Sequence, residues 1–459
     1  MISRRTLLQT ASAGFGYAAF AALANEAAAR DLPAKGQLAP KSPHHPAKAK
    51  RVIFLCMDGG PSHVDTFDFK PKLQSDHGKP YSKGRLSGSK LYASPFEFSK
   101  HGQSGMAISE LFPQLAKHAD QLCLLNGMQT DLPNHPQAFL QMHCGIFQFP
   151  RPSMGAWTLY GLGTENSNLP GFVTVNPPAG NGGPANYGSS FLPAVYQGTK
   201  MGGGRAFSSD SQAVANIKNS AQSASAQRTQ LDYMQKLNRE KLAKDGENPG
   251  VEGLIESYEL AFRMQSEFPQ HADFSRESKE TLESYGIGNG KPTDSFGRQC
   301  LLARKLSEAG VRFVELTLGG WDQHRNLKAD LERNCTAIDR PIAALLGDLH
   351  KRGLLKETLV IWGGEFGRTP TAQLGDGRDH NAKGFSMWMA GGGVKAGFVH
   401  GKTDEYGFEA IEGKVHIHDW HATMLHLLGL NHEKLTYKYA GREMRLTDIK
   451  GQVVKEIIA

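Results

Sequence analysis

The sequence predicts an α/β protein with a mostly parallel central sheet and helices on both faces. Continuous apolar runs such as "RVIFLC", residues 51–56, are typical of strands that are buried on both faces of a parallel sheet. Similar runs alternate along the chain with amphipathic stretches of helical period. Because parallel strands need crossover connections, this alternation favours a sheet flanked by helices on each side.

The predicted elements follow in a simple order. After the first strand come a helical pattern over 108–120, the strand "QLCLLNG" and the extended run "GFVTVNP". The polar stretch over about 208–290 contains the amphipathic run "GVEGLIESYELAFRMQSEF" and is predicted to be a helical insertion. The alternation then resumes with the helix "RQCLLARKLSEAG", the strand "VRFVELTLGG", a helix over 328–353, the strands "TLVIWGG" and "FSMWMAGG", and the helix "DWHATMLHLLGL".

The first 29 residues have the form of a secretory signal. Arg4 and Arg5 precede a weakly hydrophobic run, and Ala27 and Ala29 stand just before Arg30. This pattern predicts twin-arginine export, with the export machinery as a partner and cleavage after Ala29. The run is too short and too rich in alanine and glycine to favour a stable membrane anchor. We therefore expect a periplasmic or secreted protein.

The remainder of the chain is predicted to form one domain over 51–459, preceded by a Pro- and Lys-rich, unstructured lead-in over 30–50. The net charge of +7 comes from basic residues that are scattered and form no patch, so we expect no nucleic-acid partner. The five cysteines have no regular spacing, and the sequence leaves their pairing open.

Polar side chains that can bind a metal follow several of the apolar strands. Asp58 follows "VIFLCM", Asp322 and His324 follow "VELTLGGW", Glu365 follows "VIWGG", and His380 lies in "GRDHN" before the strand "FSMWM". Because the strand ends of a parallel sheet share one edge, these side chains are expected to converge. Three carboxylates and two imidazoles at one point require a cation, which predicts a divalent metal such as zinc, manganese or calcium.

Each of these residues also has a structural interpretation. An aspartate after a strand, such as Asp58, is often a helix N-cap or a turn residue. His380 can be a loop histidine that bonds to Asp379. The histidine-rich stretch "VHIHDWHATMLHLLGL" is predicted to be an amphipathic helix, and neither His416 nor His418 is expected to be a ligand.

Four motifs resemble the bacterial family called domain of unknown function 1501, namely "VIFLCMDGGPSHVDTFDFKP", "LLARKLSEAGVRFVEL", "VIWGGEFGRTP" and "GRDHN". The resemblance runs from about Arg51 to the C-terminus. That family is similar to the alkaline-phosphatase-like superfamily, which includes sulfatases, phosphatases and cofactor-independent phosphoglycerate mutases. The resemblance implies that Asp58 is the metal aspartate of the first strand and His380 the later histidine. It further implies that Glu365 replaces a metal aspartate, with Phe366 where that superfamily has a histidine.

The resemblance also marks the segment "TDLPNHPQAFLQMHCG" as the place of the nucleophile. Asn134 or His135 occupies the key position there, and neither is a usual phosphoryl or sulfuryl acceptor. Both are catalytic candidates, and His135 is also a candidate ligand. Arg368 is expected either to neutralise an anionic substrate or to be a surface arginine. Ser62 or Thr66 remains as an unorthodox nucleophile, although Ser62 suits a helix cap.

These observations predict an exported, metal-dependent hydrolase of sulfate or phosphate esters, with a small-molecule or glycan ester as substrate. A water activated by the metal would replace the absent nucleophile. The alternative is a non-catalytic sulfatase-like binding protein with a degenerate site, favoured by the lack of a usual nucleophile and by Phe366. A structural component of an exported assembly is a third possibility.

Overall fold

The computed structural model describes residues 36–82, 84–203, 207, 217, 221–246, 248–288 and 290–459. The strands in chain order are β1 (Arg51–Asp58), β2 (Phe98–His101), β3 (Met106–Ser109), β4 (Leu122–Gln129), β5 (Phe172–Val175), β6 (Thr199–Met201), β7 (Phe313–Gly319), β8 (Thr358–Gly363), β9 (Gly367–Gln373), β10 (Gly377–Asn381), β11 (Phe385–Ala390), β12 (Phe398–His400), β13 (Lys402–Thr403), β14 (Ala410–Glu412), β15 (Val415–His416), β16 (Tyr437–Tyr439) and β17 (Arg442–Met444). The α-helices are α1 (His63–Thr66), α2 (Pro71–Ser75), α3 (His135–Cys144), α4 (Met154–Leu162), α5 (Ala224–Asp245), α6 (Pro249–Ala272), α7 (Lys279–Ser284), α8 (Asp294–Glu308), α9 (Leu327–Lys351) and α10 (Ile417–Leu427).

A nine-stranded sheet forms the centre of the protein, in the order β12-β4-β11-β8-β1-β7-β5-β6, with β15 also paired to β4. β1 is parallel to both of its neighbours, β7 and β8. β11 is antiparallel to β4 and β8. The predicted α/β class with a mostly parallel sheet is confirmed.

The two faces of β1 lie in two separate hydrophobic clusters. Ile53 and Leu55 pack in one cluster with residues of α8 and α9. Phe54 and Cys56 point the other way and pack with residues of α3, α4 and α10. Alternate residues of a strand point to opposite faces, so a continuous apolar run supplies both clusters. The predicted placement of helices on both faces is therefore confirmed.

Three helices, α5 to α7, lie in the described part of the stretch predicted to be a helical insertion. Arg228 of α5 forms a two-pronged ion pair with Glu259 of α6, with both N–O distances at 2.9 Å. Phe268 of α6 is fully buried and belongs to the same core cluster as α8 and α9. α6 therefore packs against the body of the protein through its apolar stripe.

The helix predicted over 108–120 is wrong. The chain continues from β3 into a turn, and only a short 3₁₀ helix, Leu115–Gln121, follows. Pro113 lacks a backbone N–H and disfavours helical geometry in the residue before it. The N–H groups of Gln114 and Leu115 instead donate to the carboxylate of Asp339, at 2.9 and 2.8 Å.

The lead-in predicted to be unstructured is ordered from residue 36 onward. The N–H groups of Lys41, His44 and Lys48 donate to the carbonyl groups of Leu162, Gly429 and Leu427, each at 2.9 Å. Ala49 is fully buried. Composition alone does not reveal that the folded body presents unpaired carbonyl groups along this path, which is why the sequence misleads here.

The predicted signal, residues 1–29, lies outside the described residues. All five cysteines are described, and each is buried and free. Within the described ranges, no helix combines the length and the apolar character needed to cross a membrane.

Candidate metal centre

Loops at the carboxyl ends of three neighbouring strands form the candidate site. Asp322 and His324 lie in the loop that follows β7, and Glu365 follows β8. His380 lies in β10, which pairs with β9 as a hairpin, and His135 is the first residue of α3. Strand ends, a hairpin and a helix start therefore meet at one edge of the sheet, as expected for a ligand site in this fold class.

Four of these side chains surround one point. The Oδ1 atom of Asp322 lies 3.1 Å from Nε2 of His135, 2.8 Å from Nε2 of His324 and 3.2 Å from Nε2 of His380. One ligand atom from each of the four residues lies within 4.8 Å of all the others. The structure therefore brings together three residues predicted to be metal ligands and adds His135, which was predicted to be a catalytic residue or a ligand.

The second nitrogen of each imidazole faces a hydrogen-bond acceptor. Nδ1 of His135 lies 2.6 Å from Oε1 of Glu365, and Nδ1 of His380 lies 2.9 Å from the carbonyl oxygen of Pro133. Nδ1 of His324 faces Oε1 of Gln373. Because these nitrogens donate, the Nε2 atom of each neutral ring carries a lone pair directed at the centre.

His324 and His380 bring these lone pairs into direct opposition. Their Nε2 atoms lie 2.9 Å apart, and both lie within 3.2 Å of Oδ1 of Asp322. Three imidazole nitrogens and one carboxylate oxygen are a donor set that suits a tetrahedral zinc ion. The residues present therefore fit a divalent transition metal, whereas calcium requires six to eight oxygen ligands.

Glu365, predicted to be a metal ligand, does not face the centre but contacts His135 from behind. Its fully buried carboxylate accepts hydrogen bonds from the N–H of Gly59 at 3.1 Å and of Gly60 at 3.2 Å, in addition to facing His135. It is not in the four-residue group. Glycine at position 59 allows the loop after β1 to lie close to the Asp322 loop. A Cβ on Gly59, where φ is +123°, would lie 2.5 Å from the N atom of Asp322.

Arg368 is neither a surface arginine nor exposed to a substrate, because it is fully buried. Its guanidinium lies 2.6 Å from Oδ1 of Asp322 and donates to the carbonyl oxygens of Gly59, Gly60 and Trp321. The sequence could not show that the loops after β1 and β7 direct their carbonyl groups at this position. Arg368 holds these two loops together and orients Asp322.

Asp58 lies near the group but is not part of it. Its Oδ1 accepts a 2.7 Å hydrogen bond from Nδ2 of Asn181, a residue that the sequence did not indicate. Asn181 has a positive φ of 40°, which is uncommon outside glycine. Burial raises the pKa of Asp58, and the charge of Glu365 raises it further.

The charges in the group stabilise one another. Burial alone would lower the pKa of His135, but the hydrogen bonds that its ring donates to Asp322 and Glu365 raise that pKa to about 9 as long as no metal ion occupies the centre. Burial alone would raise the pKa of Asp322, yet its bonds to His135, His380 and Arg368 hold that pKa well below its usual range. Asp322 is therefore ionised and available to a cation at any physiological pH.

The side chains considered as alternative nucleophiles are engaged elsewhere. Ser62 and Thr66 are fully buried in and beside α1. The hydroxyl of Ser62 donates to Asp65, and that of Thr66 donates to the carbonyl oxygen of Ser62 at 2.8 Å. Asn134 is exposed at the N-cap of α3 and makes no side-chain cap hydrogen bond.

Phe366 forms an aromatic wall beneath the imidazoles. Its ring is fully buried, and its centroid lies 4.8 Å from the ring centroids of both His135 and His380. His416 and His418 face Asp131 and the carbonyl oxygen of Gly145, respectively, and lie outside the group.

No motif in the sequence indicated the partners that orient the imidazoles. The carbonyl oxygen of Pro133 is backbone, and Gln373 lies in a turn-rich hairpin without a motif. His135 carried a recognisable signal, since it lies where the family resemblance places the nucleophile.

A family model described as a protein of unknown function, DUF1501, matches residues 49–458. None of the curated proteins shows a significant match. Among solved structures, the PsFucS1 sulfatase from Pseudoalteromonas sp. is 14% identical, with a TM-score of 0.39, 90% of this chain covered and 72% of that chain. Phosphonate monoester hydrolase SpPMH from Silicibacter pomeroyi is 10% identical, with a TM-score of 0.38 and coverages of 87% and 76%. Alkaline phosphatase from the Antarctic bacterium TAB5 is 12% identical, with a TM-score of 0.33 and coverages of 75% and 92%.

Proposed function

The chain belongs to the DUF1501 family, whose description assigns no function, and we propose that this member is a metal-dependent hydrolase of phosphate or sulfate esters. The observation that carries the proposal is the pair of Nε2 atoms of His324 and His380, 2.9 Å apart beside Asp322. With both rings neutral and protonated on Nδ1, two opposed lone pairs next to a carboxylate favour a bound cation over an empty site. Zinc suits this donor set better than manganese or calcium, both of which favour oxygen ligands.

Four residues would hold the cation: His135, Asp322, His324 and His380. A divalent cation at this position would polarise an ester oxygen and lower the pKa of a water molecule. Glu365 would keep the lone pair of His135 directed inward, because its carboxylate accepts a hydrogen bond from the N–H at Nδ1. The amino-terminal end of α3 lies at the same place, and its positive dipole end would favour an anionic ester group.

A direct attack by water fits the surroundings of the site better than a covalent intermediate. The hydroxyl groups of Ser62 and Thr66 are buried and committed to protein partners. Asn134 carries an amide, which is not a nucleophile in this chemistry. We therefore expect a single displacement with inversion at phosphorus. Exposed Asn134 would contact the substrate.

A non-catalytic binding protein is the second candidate, and Phe366 favours it. Its buried ring occupies the space beside His135 and His380 where a further ligand would be needed for a second ion. A site for one cation can hold an anionic ligand without cleaving it.

The substrate is proposed to be a small-molecule or glycan ester, met in the periplasm or outside the cell. Support for export comes from the pair Arg4 and Arg5 in the amino-terminal signal pattern. Replacing both with lysine should leave precursor in the cytoplasm, and unchanged export in cell fractions would contradict the twin-arginine route.

The function is tested with exported protein, assayed for bound metal and for hydrolysis of aryl phosphates and aryl sulfates. We expect about one equivalent of EDTA-removable zinc per chain, and loss of that equivalent and of hydrolysis in His380→Ala, because the change removes one of four ligands. His118→Ala is the matched control, since His118 is also a partly buried histidine but bonds to Gln121. Metal-loaded protein that binds these esters but cleaves neither class would favour the binding protein, and folded protein without metal would overturn both.

A further inference from the structure

A second group of metal-ligating side chains lies inside the protein, on the face of the sheet that α3 covers. Its members are Cys56 of β1, His143 of α3 and Glu315 of β7. Cys56 and His143 are fully buried, and Glu315 is 1% exposed. One ligand atom from each residue lies within 4.8 Å of the others. The group contains none of the four residues of the candidate metal centre.

The two polar side chains approach each other without forming an aligned hydrogen bond. Nε2 of His143 lies 3.3 Å from Oε1 of Glu315, yet Nε2 has no hydrogen-bond partner among the described residues. Oε2 of Glu315 also lacks such a partner. Buried polar atoms in folded proteins are nearly always satisfied, so two unsatisfied atoms in one buried group indicate a missing partner.

The orientation of His143 is fixed for ligation. Its Nδ1 donates to the carbonyl oxygen of Phe139 at 2.8 Å, which leaves the lone pair of the neutral ring on Nε2. Metal-bound histidines almost always donate their other nitrogen in this way. The ring of Phe139, at a centroid distance of 4.7 Å, and the ring of Phe54, at 6.1 Å, exclude water from one side.

We propose that Cys56, His143 and Glu315 form a buried structural zinc site. A thiolate, an imidazole and a carboxylate are all zinc ligands, and Glu315 can supply both of its oxygens to complete four-coordination. Binding releases the thiol proton of Cys56, because the thiolate is the ligand. The ion joins α3 to β1 and β7, the three elements whose ends carry His135, Asp58 and the Asp322 loop.

The competing arrangement is an ion pair between a protonated His143 and Glu315. Burial alone would lower the pKa of His143, and Glu315 raises that pKa above its usual value. In that case Cys56 stays a neutral thiol, since burial and then the charge of Glu315 raise its pKa well above the usual range. The two arrangements differ in whether sulfur binds a metal, and this difference does not depend on the proposed function.

Cobalt replaces zinc in the test, because a thiolate bound to Co²⁺ gives a charge-transfer absorption that the sulfur-free candidate centre lacks. The full chain is produced in zinc-depleted, cobalt-supplemented medium and dialysed against EDTA. We expect the thiolate band in the folded wild type, its retention through dialysis because the site is buried, and release of one cobalt equivalent on unfolding. No thiolate band in folded, cobalt-grown wild type would overturn the proposal.

Two substitutions locate the band. Cys56→Ala should abolish it, whereas Cys123→Ala should keep it, because Cys123 is an equally buried cysteine of the same sheet that lies outside the group. A band that persists in Cys56→Ala would also overturn the proposal. If Cys56→Ala does not fold, the wild-type spectrum decides alone. Ester hydrolysis that fails in undialysed, metal-loaded protein while the band is present would reject the proposed function and leave this site standing.

Discussion

At the scale of single residues, the site depends on side chains that form hydrogen bonds with the backbone of neighbouring loops. Arg368 donates to the carbonyl oxygens of Gly59 and Gly60, and its Nη2 lies 2.6 Å from Asp322. The N–H groups of the same two glycines donate to Glu365, which in turn accepts from His135. One Gly-Gly turn thus connects the residues that position the carboxylate of Asp322 and the imidazole of His135.

Arg368→Lys should weaken metal binding. A lysine keeps the positive charge but cannot form the several directed hydrogen bonds of the guanidinium, so Asp322 and its loop lose their support. We expect the Kd of zinc to rise about 10- to 100-fold, as is typical when an orienting partner of a ligand is lost. Competition with a chelating dye measures it, with Arg352→Lys at a more exposed site as control. Unchanged zinc affinity together with weakened ester binding would instead assign Arg368 to the substrate.

The residues of the four-residue group were predictable from the sequence to the extent that strand ends determine position. Asp322, His324 and His380 each lie beside a recognisable apolar strand, and all three reach the group. Glu365 has the same sequence signal, but the N–H groups of Gly59 and Gly60 hold its carboxylate away from the centre. Sequence position therefore indicates which residues lie at the edge, whereas backbone hydrogen bonds decide which of them face the centre.

At the scale of elements, the β9–β10 hairpin carries both Arg368 and His380. Arg378 anchors it to α1 through a fully buried ion pair with Asp65, at distances of 2.7 and 3.0 Å. β10 is the sequence "GRDHN", whose polar and glycine residues have low strand propensity. This strand was not predictable, because pairing with β9 and the ion pair of Arg378 stabilise it, whereas the strand propensity of its residues is low.

Gly377→Ala should displace this hairpin. A Cβ on Gly377 would lie 1.9 Å from the carbonyl carbon of His324, so the backbone of one loop must shift. We expect a loss of about 1–3 kcal/mol of stability, typical of overpacking, together with weaker zinc binding because His324 and His380 move apart. Thermal unfolding with and without zinc measures both effects. Gly180→Ala is the control, since no atom lies within 4 Å of its new Cβ; equal behaviour of the two variants would contradict the close approach.

At the scale of the whole molecule, two hydrophobic clusters enclose the sheet, and several histidines are buried within or beside them. Burial lowers the pKa of His63 and of His418. It lowers the pKa of fully buried His421 to about 3, and the charge of His418 lowers it further. Nε2 of His421 donates to the carbonyl oxygen of Met142 at 2.7 Å, which links α10 to α3. The folded state therefore requires these rings to be neutral.

This requirement predicts acid sensitivity with a definite sign. In the unfolded chain, His421 takes up a proton near its ordinary pKa of about 6.5, while in the folded protein it stays neutral down to about pH 3. Below pH 6.5 the unfolded state therefore binds more protons, so the free energy of unfolding falls by about 1.4 kcal/mol per pH unit for this one group. His421→Gln removes the titration while its amide N–H can still donate to Met142.

We expect the difference in unfolding free energy between wild type and His421→Gln, from urea titrations, to be constant above pH 7. It should shift in favour of the variant as the pH falls from 6.5 to 4.5. A pH-independent difference for His421→Gln would show that His421 is not held neutral by the fold.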